Sequence, residues 1–169
     1  PWRSRGMTDR TGGRQALAPH DVERVETRLR SFLDETRSRA ALLVDRAGHL
    51  IAAVGDVGFD TTGFASLAAA DFAASSQLAR LLGEEEFASM YHRGATGSML
   101  MADVAGRALM AVLFDDRTTL GMVRLAARSA VRDLADVLAS GAGRATRGAL
   151  LENDWLVEVE ETIDRLFVD

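Results

Sequence analysis

The chain has 169 residues, 47% apolar and 27% charged, with a formal net charge of −5, the size and balance of one soluble domain plus a tail. It has no cysteine, which excludes a disulfide framework and a thiolate metal site and fits a cytoplasmic address. Its twenty basic residues are all arginine, which excludes a Walker phosphate loop, and no apolar run approaches the roughly 20 residues of a membrane-spanning helix, so no membrane insertion is expected.

"PWRSRGMTDRTGGRQ" shows no apolar periodicity, and residues 1–18 read as a disordered N-terminal arm with Met7 as a candidate start. From Asp21, an N-cap by residue type, Val22, Val25, Leu29, Phe32 and Leu33 keep helical spacing to about Arg37. "AALLVDRAGHLIAAVG" then places two apolar runs around Gly48, which suits a short hairpin with a bulge. "SMLMADVAGRALMAVLFD" repeats the pattern with its turn at Ala105-Gly106, and Ser89 to His92 predict a short edge strand before it.

Between the hairpins lies "DTTGFASLAAADFAASSQLARLLGEEEF", residues 60–87. At about 100° per residue, Phe64, Leu67, Phe72, Leu78, Leu81 and Leu82 gather on one side. The other side carries Ala65, Ser66, Ala69, Ala70, Ala73, Ser76 and Gln77, with one charge at Arg80. The bulky side is expected to meet the sheet and the small side to face outward, where a second helix or a partner surface can come close. A small face buried within the same fold is the plainer alternative. Asp71 falls in the bulky arc, where a hydrogen bond to a helix or loop amide is its only evident role.

After Phe114, Thr118 or Thr119 caps a helix lined by Leu120, Val123, Leu125, Ala127, Val131, Leu134, Val137 and Leu138, which Gly141 is expected to stop. The order α-β-β-α-β-β-β-α and the two hairpins give an α+β layered domain over residues 19–141, with a five-stranded antiparallel sheet flanked by helices. Residues 142–149 read as a linker and 150–169 as a C-terminal amphipathic helix. Its apolar stripe is Trp155, Leu156, Val159, Ile163, Leu166 and Phe167. From Leu150 onward seven acids face one Arg, so the tail carries −6, while eighteen acids and nineteen Arg leave the rest at +1. That balance disfavours nucleic-acid binding.

Enzymatic chemistry finds little support. His20, His49 and His92 lack ligand spacing, so no metal site is expected, and nothing calls for a cofactor. Glu84-Glu85-Glu86 reads as a solvated charge run, "GATGS" lacks the strand–loop–helix setting of a phosphate loop, and no G-x-S-x-G elbow is present. The small-residue helix face and the acidic tail are what remain, and both suit contact with a partner: a dimer using the same face twice, and a peptide seated in a groove.

The stretches "ALLVDRAGHLI", "DTTGFASLAAADFAASSQLARLLGEEEF", "MYHRGATGSMLM" and "LFDDRTTLGMVRL" resemble, in order and spacing, the Roadblock family, and within it the bacterial MglB-like proteins; the final "VEETIDRLF" resembles the end of MglB-type chains. The resemblance implies a homodimer with joined sheets and paired central helices. It also implies a regulator, not an enzyme, that binds and activates a small Ras-like GTPase of the MglA type in cell polarity and motility, in the cytoplasm or at a pole. Such an activator positions the GTPase's own catalytic groups and inserts no arginine, although Arg80, Arg93, Arg107 and Arg117 are available by sequence. Carried over by motif, the GTPase-binding residues are Ala69, Ala70, Ala73 and Gln77; the tail contacts the GTPase elsewhere and influences nucleotide exchange. The family often has Gly-Asn where this chain has Ala70-Asp71, and another small residue at Gln77. A Roadblock scaffold that recruits a GTPase without stimulating it and a small-molecule sensor are the other readings.

Overall fold

The structure is a computed structural model that describes residues 17–166, with side chains described as far as residue 143; the expected N-terminal arm lies almost wholly outside the described residues. Helix α1 (Pro19–Thr36) starts at Pro19, whose fixed φ suits the first helical position, with Ala18 as the cap. Asp21 is therefore not the N-cap expected from its type. It stands in the first helical turn, fully buried, with His20 Nε2 at 3.2 Å and Arg24 Nη1 at 3.6 Å from its carboxylate. Val25, Leu29 and Phe32 form the buried face, and Arg37, left-handed at φ 55°, ends the helix by donating to the Leu33 carbonyl.

Strands β1 (Ala40–Asp45) and β2 (Leu50–Gly55) form the first hairpin. Leu43 faces Ala52 and Val44 faces Leu50, so Ile51 is the extra residue of a bulge, and Gly48 takes φ +89° in the turn. The Asp45 carboxylate holds this turn by accepting from the Ala47 and His49 amides at 2.9 and 2.8 Å. Asp60 caps helix α2 (Thr61–Leu81), accepting from the amides of Thr62 and Gly63. Strands β3 (Ser89–Arg93), β4 (Ser98–Val104) and β5 (Ala108–Phe114) follow. The β4–β5 turn has positive φ at both Ala105 and Gly106 and is closed by the Arg107 amide on the Val104 carbonyl, a geometry matched to hairpin twist.

The five strands lie in the order β2-β1-β5-β4-β3, antiparallel throughout. Alternation along them sorts side chains into two layers. Ala41, Leu43, Val54, Leu100, Met110 and Val112 meet α1 and helix α3 (Leu120–Leu166), whereas Leu42, Met101, Leu109 and Ala111 meet α2. The expected five-stranded α+β architecture is the one found.

Helix α3 departs from expectation in three ways. Thr119 caps it, its hydroxyl accepting from the Met122 amide, but Leu125 points to solvent and Ala126 and Ala130 take buried positions. Gly141 does not end the helix, which runs unbroken through 142–149 to Leu166, so no break separates the domain from the tail backbone. Packing is the reason for the glycine: a Cβ there would lie 2.7 Å from Leu17 Cδ2 and 3.2 Å from the Asp21 carboxylate, where α3 crosses the start of α1.

Candidate interaction surface

Helix α2 does not meet the sheet with the whole of its bulky side, although its bulk suggests that it would. Ala65, Ala68, Ala69, Phe72, Ser76 and Ala79 are buried, while Leu67, Leu78, Leu81 and Leu82 are 58–82% exposed. The cause is close approach. A Cβ at Gly48 would lie 3.0 Å from the Ser66 Cα and 3.6 Å from the Ala69 Cβ, so the β1–β2 turn rides directly on the small residues. The sheet supplies the volume instead, through Leu42, Met101 and Leu109. Of the helix's large residues only Phe72 is fully buried, with Phe64 partly so beside Phe59.

This rearranges the expected contact residues. Ala69 is buried against Phe72 and Leu109 inside its own fold, whereas Ala70, Ala73 and Gln77 are exposed. Around them the outward row Leu67, Ala70, Ala74, Leu78 and Leu81 follows i, i+3, i+7, i+11 and i+14, an apolar stripe without a covering element in the described chain. The tail residues Trp155, Leu156, Val159, Ile163 and Leu166 have side chains outside the described set, as Phe167 is altogether.

Beside the stripe runs the open sheet edge. Of the two edge strands, β2 pairs only with β1 and packs against α1, while β3 pairs only with β4 and is mostly exposed among the described residues. Met90 packs toward Phe72, and His92 Nε2 lies 3.0 Å from the Asp71 carboxylate, which gives Asp71 its role: it ties α2 to the edge strand. On the other face Tyr91 stacks on Phe114 at 6.3 Å and its hydroxyl meets that of Ser98.

Behind the stripe, Arg46 of the β1–β2 turn binds both oxygens of Glu86, at 2.7 and 3.0 Å, and reaches Asp103 at 2.6 Å. Its guanidinium carbon sits 4.8 Å from the centre of the Phe72 ring, and Ser76 Oγ donates to Glu86 at 3.0 Å. The bond from Arg46 holds the Glu86 carboxyl below its ordinary range, and Glu86 in turn raises the guanidinium. Glu86 is thus no member of a merely solvated run. Its partner is 40 residues away in sequence, out of reach of any local pattern. Of the arginines available as fingers, Arg117 is bound to Asp115 at 2.9 Å, Arg107 reaches the Leu138 carbonyl at 3.4 Å, and Arg80 and Arg93 are exposed. The arrangement offers a surface that can hold a partner; among the described residues no three His, Cys, Asp or Glu side chains group as metal ligands.

A family model described as the Roadblock/LC7 domain matches residues 24–114. Among solved structures the chain is similar to Myxococcus xanthus MglB, at 36% identity over 69% of this chain and 96% of that one, with a TM-score of 0.67. It is similar to the gliding protein MglB from Thermus thermophilus, at 32% identity over 72% and 93%, with a TM-score of 0.67. It is also similar to an MglB with a tetrameric arrangement, at 31% identity over 75% and 96%, with a TM-score of 0.71. No curated protein matches the chain significantly.

Proposed function

The chain belongs to the Roadblock/LC7 family and is MglB-like within it, and from that premise we propose that it is a homodimeric activator of a small Ras-like GTPase of the MglA type, in bacterial cell polarity and motility. One observation carries the reading: the apolar outer row of α2 stands beside an open strand edge, in a chain that spans nearly all of each MglB structure it resembles. An exposed apolar row and an unpaired edge on one flank are what a second copy covers, joining sheets through β3 and pairing the α2 helices. Ala73 and Gln77, small or slender and exposed beside that row, with Ala70 at its border, then offer the GTPase a platform that its switch loops can approach closely. The activator supplies order: it holds the GTPase's own catalytic groups in the hydrolytic arrangement, each ~1.4 kcal/mol of barrier giving about tenfold in rate. The acidic tail, with Trp155, Leu156, Val159, Ile163, Leu166 and Phe167, docks on a separate surface of the GTPase and modulates nucleotide exchange.

Phosphate release by a cognate GTPase, with and without the protein, tests this directly. Stimulation by the wild type, abolished in Ala73→Arg while that variant keeps its helical signal and oligomeric mass, is the expected result. Stimulation that survives Ala73→Arg removes the proposed platform. Binding without stimulation makes the protein a recruiting scaffold instead.

A further inference from the structure

Arg46 stands where two loops, a strand and a helix meet. Its own turn joins β1 to β2; Glu86 lies three residues ahead of β3; Asp103 is the last residue but one of β4; Phe72 and Ser76 sit one turn apart on α2. Asp103 is engaged twice over, since its carboxylate also accepts from the Gly106 amide at 2.9 Å. A planar guanidinium can grip one carboxylate with two parallel bonds, take a second acid with the same nitrogen, and lie over an aromatic ring, all at once. An ammonium cannot. The grip is partly sheltered, with the Arg46 side chain 29% exposed and its Nε buried without a hydrogen-bond partner among the described residues. Losing Arg46 would therefore free Glu86 and unload the Phe72 ring together.

We propose that Arg46 is a positioning residue: it fixes the C-terminal half of α2 and the entry into β3 as one unit, and so couples the GTPase platform to the dimer edge. The coupling rests on the function proposed above; the local clamp does not. The route is short. Phe72 registers α2 against Arg46, Ser76 ties the helix to Glu86, and Glu86 registers the segment that leads into Ser89; the other polar side-chain link from α2 to the β1–β2 turn, Ser66 Oγ on the Gly48 carbonyl at 3.5 Å, lies in the N-terminal half of the helix. Ala73 and Gln77 lie on the same two helical turns as Phe72 and Ser76, so a shift of that half of α2 moves the platform itself.

The test compares full-length wild type, Arg46→Lys, Glu86→Gln and the double variant by hydrogen–deuterium exchange and by affinity for the GTPase loaded with a GTP mimic. Arg46→Lys keeps the charge and loses the fork. Both single variants should exchange about tenfold faster across residues 73–93 than across 61–70, bind the GTPase about tenfold more weakly, and combine without adding. Uniform acceleration over the whole chain would reduce Arg46 to general stability, and unchanged exchange or additive losses would overturn the clamp. If the wild type binds no GTPase, the function proposed above fails while the exchange measurements still decide the role of Arg46.

Discussion

Gly48 shows how much a single hydrogen in place of a side chain can control. Its φ of +89° is one that L side chains rarely adopt, and the position a Cβ would occupy is 3.0 Å from the backbone of Ser66. Gly48→Val should cost about 2–4 kcal/mol, combining left-handed strain with overpacking against helix backbone, and a urea unfolding curve with an unchanged slope would show it. The turn was legible in the sequence, because a glycine between two apolar runs has few other uses. What the turn leans on was not. Ser66 and Ala69 are small because Gly48 is near, and that relation crosses 18 residues of sequence. Arg46 and Glu86 repeat the lesson across 40.

Elements were easier to place than to orient. Hairpins and strands follow from turn residues and apolar period, and they appear where the sequence puts them. The facing of α2 does not follow, because a helical wheel weighs side-chain bulk while a sheet can supply the bulk itself. The row Ala65, Ala68, Ala69, Phe72, Ser76 and Ala79, free of charge over four turns, was the usable signal. Helix α3 illustrates a second ambiguity, since a glycine after an apolar run can mark an end or a crossing. At Gly141 it marks a crossing, over Leu17 and the buried carboxylate of Asp21. Gly141→Leu should therefore destabilise the domain by about 1–3 kcal/mol, measured by thermal unfolding, although leucine is by itself the better helix former.

For the molecule as a whole, the exposed leucines of α2 are the least settled part of a single copy and the natural seat of assembly. Because Leu67 and Leu78 face water in the isolated chain, replacing both with Glu should alter single-chain stability by only about 0.5 kcal/mol each. The proposed dimer, in contrast, should fall apart, so sedimentation equilibrium should read twice 18.2 kDa for the wild type and 18.2 kDa for the double variant. A mass unaffected by the pair of substitutions would move the interface elsewhere. The fold of this chain and its family could be read before any coordinates; of the four expected contact residues, Ala70, Ala73 and Gln77 face water and Ala69 lies beneath them.

The unbroken course of α3 has a geometric consequence. A helix advances about 1.5 Å and rotates about 100° with each residue, so the acid-rich end of the chain is mounted on a spoke rather than hung on a string. Adding or removing one residue between the Gly141 crossing and Leu150 would swing the bearing of residues 150–166 by more than a quarter-turn, while barely changing their reach.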